Sequence, residues 1–225
     1  MKTETAAKTN KGGRCRLHCR RIGACADLPA VSEVFSRLES ASILGGNAAR
    51  ADAGRFSYWA AEPREIFEFR AGRKSPFEKL HKALSKYRLE DSRRDRTEPL
   101  PHGMFCGGWI GYFSYELGRY IEKLPESTVD DIAAPLIRLC FYDRFIAYDH
   151  IEKDFRLIAL QLPGDIERTE TKLDALQGLL AESAKLRVPR PVPADFENID
   201  FSQIRSNMDE DYYPVSYTHL TLPTN

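Results

Sequence analysis

Apolar positions along this chain change period repeatedly, from helical to strand-like and back. Val31, Val34, Phe35 and Leu38 recur at intervals of three and four, and Pro29 stands near the start, where its missing N–H costs little. That spacing predicts a helix over 29–40. Residues 41–44 then read as a short strand running into Gly45-Gly46-Asn47. Residues 56–61 are aromatic and β-prone, Pro63 interrupts them, and 66–70 resume as a second strand. Ser75-Pro76-Phe77-Glu78 predicts a helix start, with Ser75 as cap and Glu78 completing a capping box. Its apolar face is Phe77, Leu80, Leu84 and Tyr87. Residues 90–98 are densely charged and read as a solvated loop.

The second half is more β-rich. Residues 107–115 form a glycine-punctuated aromatic strand, and glycine inside a strand marks close approach of another backbone. Residues 116–121 predict a helical turn that ends before Pro125. Residues 136–148 read as one long strand, 149–154 as a polar turn and 155–162 as the returning strand, the clearest hairpin in the chain. Residues 165–186 predict an amphipathic helix carrying Leu173, Leu176, Leu179, Leu180 and Leu186. Alternate prolines over 187–193 make an extended linker, and 206–210 read as the start of a further helix. The pattern predicts an α+β fold, an antiparallel β-sandwich with flanking helices, in which Trp59, Trp109, Phe113 and Tyr115 are buried.

Composition narrows the function more than the fold. Of 225 residues 42% are apolar and 29% charged, which excludes wholesale disorder. Lys plus Arg and Asp plus Glu each number 33, so the chain lacks the basic surplus of a general nucleic-acid binder. No run of 18 apolar residues predicts a membrane span. Five cysteines, Cys15, Cys19, Cys25, Cys106 and Cys140, suit a reducing compartment rather than a disulfide framework, and the expected location is cytoplasmic. Residues 1–27 carry seven basic residues by position 21 against a lone Glu4, and read as a disordered basic tail. An Arg-rich, acid-poor start is also the composition of a transit peptide. At the other end Val215 to Thr224 resembles the translation of a transposase adapter from library preparation, so residues 214–225 are expected to be an artefact. The organisation expected is therefore a tail over 1–27, an α+β domain over 28–186 and a linker over 187–200. The first residues of a second domain follow over 201–213.

Candidate chemistry is thin. Cys15, His18, Cys19 and Cys25 offer thiol and imidazole donors, but no folded module with a second distant pair surrounds them, as structural zinc sites require. Gly107-Gly108 and Gly111 fall short of the dinucleotide fingerprint. The histidines His18, His81, His102, His150 and His219 are scattered, and no nucleophile elbow exists. The residues themselves give no catalytic site.

Several segments together resemble the N-terminal domain of the chorismate-utilising component I enzymes, those of aminodeoxychorismate synthase and anthranilate synthase. The resemblance lies in Gly54-Arg55-Phe56-Ser57-Tyr58, in Ala61-Glu62-Pro63 and, most specifically, in the unbroken block from Gly107 to Arg119. Glu122-Lys123-Leu124-Pro125 and Tyr142-Asp143-Arg144 extend it, so that it covers about 28–213. Leu117-Gly118-Arg119 resembles the aminodeoxychorismate relative more than the anthranilate one. The resemblance implies amination of chorismate to 4-amino-4-deoxychorismate, on the route to 4-aminobenzoate and folate. Ammonia would come from a glutamine amidotransferase partner, and Mg2+ would hold the chorismate carboxylate. It also implies that this machinery belongs to a C-terminal domain, cut off here near Tyr213, so that catalytic residues are absent and the fragment is inactive. In the N-terminal domain it implies a tryptophan pocket, carried over to Gly46, Ala53, Gly54, Arg55 and Phe56. Gly46 departs from the serine expected at that position, and a salt bridge is the alternative role for Arg55. Leu38-Glu39-Ser40 is read as a helix terminus.

Overall fold

A computed structural model describes residues 12–46, 54–72, 74–90, 100–123 and 132–188. Two units divide the chain, 1–188 and 189–225. All of the second unit, with most of the linker, the 201–213 segment and the suspected artefact, lies outside the described residues.

The first unit is a mixed body of nine strands and three α-helices among the described residues. In chain order they are β1 (Gly13–Gly23), α1 (Leu28–Ser36), β2 (Ser42–Leu44), β3 (Phe56–Ala60), β4 (Glu65–Phe69), α2 (Phe77–Leu84) and β5 (Tyr87–Leu89). Then come β6 (Gly108–Phe113), a 3-10 turn (Tyr115–Tyr120), β7 (Ile137–Tyr142), β8 (Arg144–Asp149), β9 (Asp154–Gln161) and α3 (Thr169–Ser183). Six strands form one sheet in the order β2-β3-β8-β9-β1-β5, and three form a second in the order β4-β7-β6. Pairing is antiparallel except where β1 meets β5.

Within the tail expected over 1–27, residues 1–11 lie outside the described residues, while residues 13–23 form β1. Its alternation is real but masked by arginine. Cys15 and Leu17 are buried while Arg14, Arg16, Cys19 and Arg20 stay outward or at the margin, and all eight residues from Arg16 to Gly23 pair with β9. The exposed arginines then find acids. Arg20 bridges Glu170 and Asp174 on α3, both at 2.7 Å. The arginines are thus paired side chains on both faces of a strand, and their charge hid the strand's period.

The predicted single strand over 136–148 is two, broken at Asp143. There the chain leaves the three-stranded sheet and enters the six-stranded one, so the two sheets meet at a corner. Similarly β3 and β4, read as one interrupted strand pair, belong to different sheets, and the segment around Pro63 carries the chain between them. The 150–153 turn and its hairpin are as expected, with Asp149 opposite Asp154.

Three apolar clusters hold these layers. Val31 and Phe35 of α1 and Leu173, Leu176 and Leu180 of α3 pack on Trp59, Ile146, Phe155, Leu157 and Ala159, covering one face of the larger sheet. At the corner, Cys15, Leu17, Phe56, Tyr142, Phe145, Ile158 and Leu160 form a second cluster. Leu117, Ile137 and Leu139 form a third, against which Leu80 and Tyr120 pack.

Other expectations shift in detail. α2 begins after Pro76, and Ser75 Oγ lies 3.5 Å from the Phe77 amide without capping the helix, so the capping box does not form. Proline at the cap position holds helical angles and offers no side-chain acceptor. α3 begins at Thr169 rather than 165, because Asp165 is drawn inward to the Leu162 amide at 3.0 Å and to Lys172. Trp59 is buried and its indole N–H donates to Ser32 Oγ at 2.8 Å. Trp109 is half-buried, whereas Phe113 and Tyr115 are 54% and 88% exposed, against expectation. β6 is an edge strand, and its last residues run past the cover that α2 and the 3-10 turn provide.

Candidate functional site

The tryptophan-pocket set falls at the end of β2 and the start of β3. Gly46 is pressed against backbone there. A Cβ on it would lie 2.3 Å from the Phe56 carbonyl oxygen and 2.4 Å from that of Gly54. A serine at 46 therefore needs a different backbone path, which explains the departure from the expected residue in steric terms. The Gly46 amide donates to Ser57 Oγ at 2.8 Å, and the same oxygen lies 2.8 Å from His150 Nε2. Ser57 thus ties the β2–β3 connection to the β8–β9 turn.

Arg55 reinforces that tie. Its Nε and Nη2 donate to the two carboxylate oxygens of Asp149 at 2.9 and 2.6 Å, a bidentate fork. Its guanidinium carbon sits 5.1 Å from the centre of the Phe56 ring. Asp149 is wholly buried and also accepts from the Ile151 and Glu152 amides at 3.0 and 3.3 Å. Burial alone raises its pKa, but Arg55 and the two amides outweigh that and hold the carboxyl below its ordinary value. The same partner pushes the Arg55 guanidinium up.

Gly46, Gly54, Arg55 and Phe56 therefore share one place, while Ala53 lies outside the described residues. Sequence reasoning missed Ser57, Asp149 and His150. A usable signal existed, since Asp149-His150 opens the turn of the predicted hairpin and an arginine begins the neighbouring strand. Only register could bring them together, and register is set by tertiary pairing.

A second polar knot lies at the corner of the sheets. Leu38-Glu39-Ser40 is in the turn after α1 rather than in the helix, and Ser40 takes a φ of +49°. Ser42 Oγ donates to the Tyr142 hydroxyl at 2.8 Å, which in turn donates to the Ser40 carbonyl. Burial pushes the Tyr142 phenol up to about 12. Arg138 reaches Ser40 Oγ at 3.4 Å and pairs with Glu68 at 2.7 Å.

The Gly107–Arg119 block is explained by backbone approach. Gly107 and Gly108 have φ of +105° and +132°, a region that favours glycine. At Gly111 a Cβ would meet the Arg138 carbonyl oxygen at 1.9 Å. Ser114 Oγ accepts from the Glu116 amide at 3.3 Å, and Glu116 pairs with Arg119 at 2.6 Å. Of the four zinc candidates, Cys15 and Cys19 share one face of β1, His18 lies on the other, and Cys25 follows the strand. Among the described residues no group of three or more His, Cys, Asp or Glu could hold a metal ion. No described helix is long and apolar enough to cross a membrane.

Comparison with known proteins gives the chain a family. The family described as chorismate binding enzyme matches residues 47–217. The chain is 45% identical over 69 residues to the chloroplastic anthranilate synthase alpha subunit 2 of Arabidopsis thaliana, covering 29% of this chain and 11% of that one. It is 29% identical over 150 residues to aminodeoxychorismate synthase component 1 of Klebsiella aerogenes, covering 60% of this chain and 32% of that one. Among solved structures, anthranilate synthase component I from Streptococcus pneumoniae TIGR4 is similar at a TM-score of 0.44 and 22% identity, over 70% of this chain and 34% of that one. The chain thus spans about a third or less of the length of these relatives.

Proposed function

Because this chain belongs to the chorismate-binding enzyme family, we propose that it is part of component I of an aminodeoxychorismate synthase. The reaction is amination of chorismate to 4-amino-4-deoxychorismate, with ammonia from a glutamine amidotransferase and a cytoplasmic setting in the folate route. The family match over 47–217 carries the chorismate half of this reading. The choice of product rests on Leu117-Gly118-Arg119, and on likeness to the Klebsiella aminodeoxychorismate synthase over 60% of the chain. The higher local identity to the Arabidopsis anthranilate synthase subunit favours a second reading, an anthranilate-forming component of tryptophan synthesis.

The described residues take a supporting part in this proposal. They contain no cluster fit to ligate Mg2+, so no residue here is assigned to the metal and no step is derived through it. In this reading the reacting groups belong to residues beyond 188. The tryptophan subsite is not carried into the proposal. Arg55 forks onto Asp149 and the Gly46 amide is held by Ser57, so the polar groups that would grip an amino acid are already engaged.

The test is to read the coding sequence on beyond residue 213, express the extended protein with ammonia and chorismate, and identify the product. Aminodeoxychorismate supports the proposal; anthranilate replaces it with the second reading; no chorismate consumption rejects both.

A further inference from the structure

We draw no further inference here: the strongest candidate, the exposed apolar patch of Phe113, Tyr115 and Ile121 at the end of β6 and around the 3-10 turn that follows it, carries no proposal, because nothing in the structure shows what covers it.

Discussion

Lys172 Nζ, on a fully buried side chain of α3, sits 2.7 Å from Asp143 Oδ2 at the corner where β7 becomes β8. The same ammonium donates to Asp165 Oδ2 at 2.7 Å and to the Leu160 carbonyl at 2.9 Å. One cation thus pins the long helix to the residue at which the chain changes sheets. Lys172→Met leaves two buried carboxylates facing each other without their shared donor, and removal of one partner from a buried pair costs about 3–5 kcal/mol. Urea denaturation should show that loss. A Lys172→Met/Asp143→Asn double variant should recover part of it, because the stranded charge is removed as well.

Acid should unfold the protein through two of these carboxyls. Asp149 and Asp165 are each pushed up by burial and pulled further down by their partners, Arg55 with two backbone amides, and Lys172 with the Leu162 amide. A folded-state pKa below the unfolded value means the unfolded chain binds more protons at low pH. The stabilisation is therefore complete above the ordinary carboxylate pKa of about 4 and is lost as pH falls through the lower folded value. Urea midpoints at neutral pH and near pH 3 should differ, and Arg55→Met should shrink that difference.

Gly111→Ala should be among the most damaging single changes. The added methyl carbon has no flexible neighbour to move, since its nearest contact is the Arg138 backbone carbonyl at 1.9 Å. A loss above about 2 kcal/mol is expected, in the range of named steric mechanisms. Gly23→Ala, which meets nothing within 4 Å, is the control and should lie within about 0.5 kcal/mol of the parent.

The edge formed by Phe113 and Tyr115 should govern association rather than stability. With Ile121 at 75% exposure shortly after them, the end of β6 and the turn that follows present apolar side chains to solvent. Phe113→Ser/Tyr115→Ser should leave the urea midpoint almost unchanged and lower light scattering at matched concentration. Unchanged scattering would show that this edge does not drive association.

Local chemistry made much of the fold legible. α1, β2, β3, the 150–153 hairpin turn and α3 are visible because their apolar period or turn residues act within a few positions. What escaped depended on distant partners. β1 was hidden by arginines whose acids lie far along the chain, Glu90 for Arg14 and Arg16 and α3 for Arg20, and the break at Asp143 was invisible because Asp143 answers to Lys172, 29 positions on. The same holds at the candidate site. Arg55 and Gly46 were found by resemblance, but Asp149, Ser57 and His150 are joined to them only through the register of β3 against β8.

The proposed function makes these residues the supporting part of a chorismate-using enzyme, with the reacting groups elsewhere. The direct measurement incubates the purified 225-residue chain with chorismate, Mg2+ and ammonia and follows chorismate by its absorbance. The account predicts no consumption above the enzyme-free rate; steady turnover by this chain alone would contradict it.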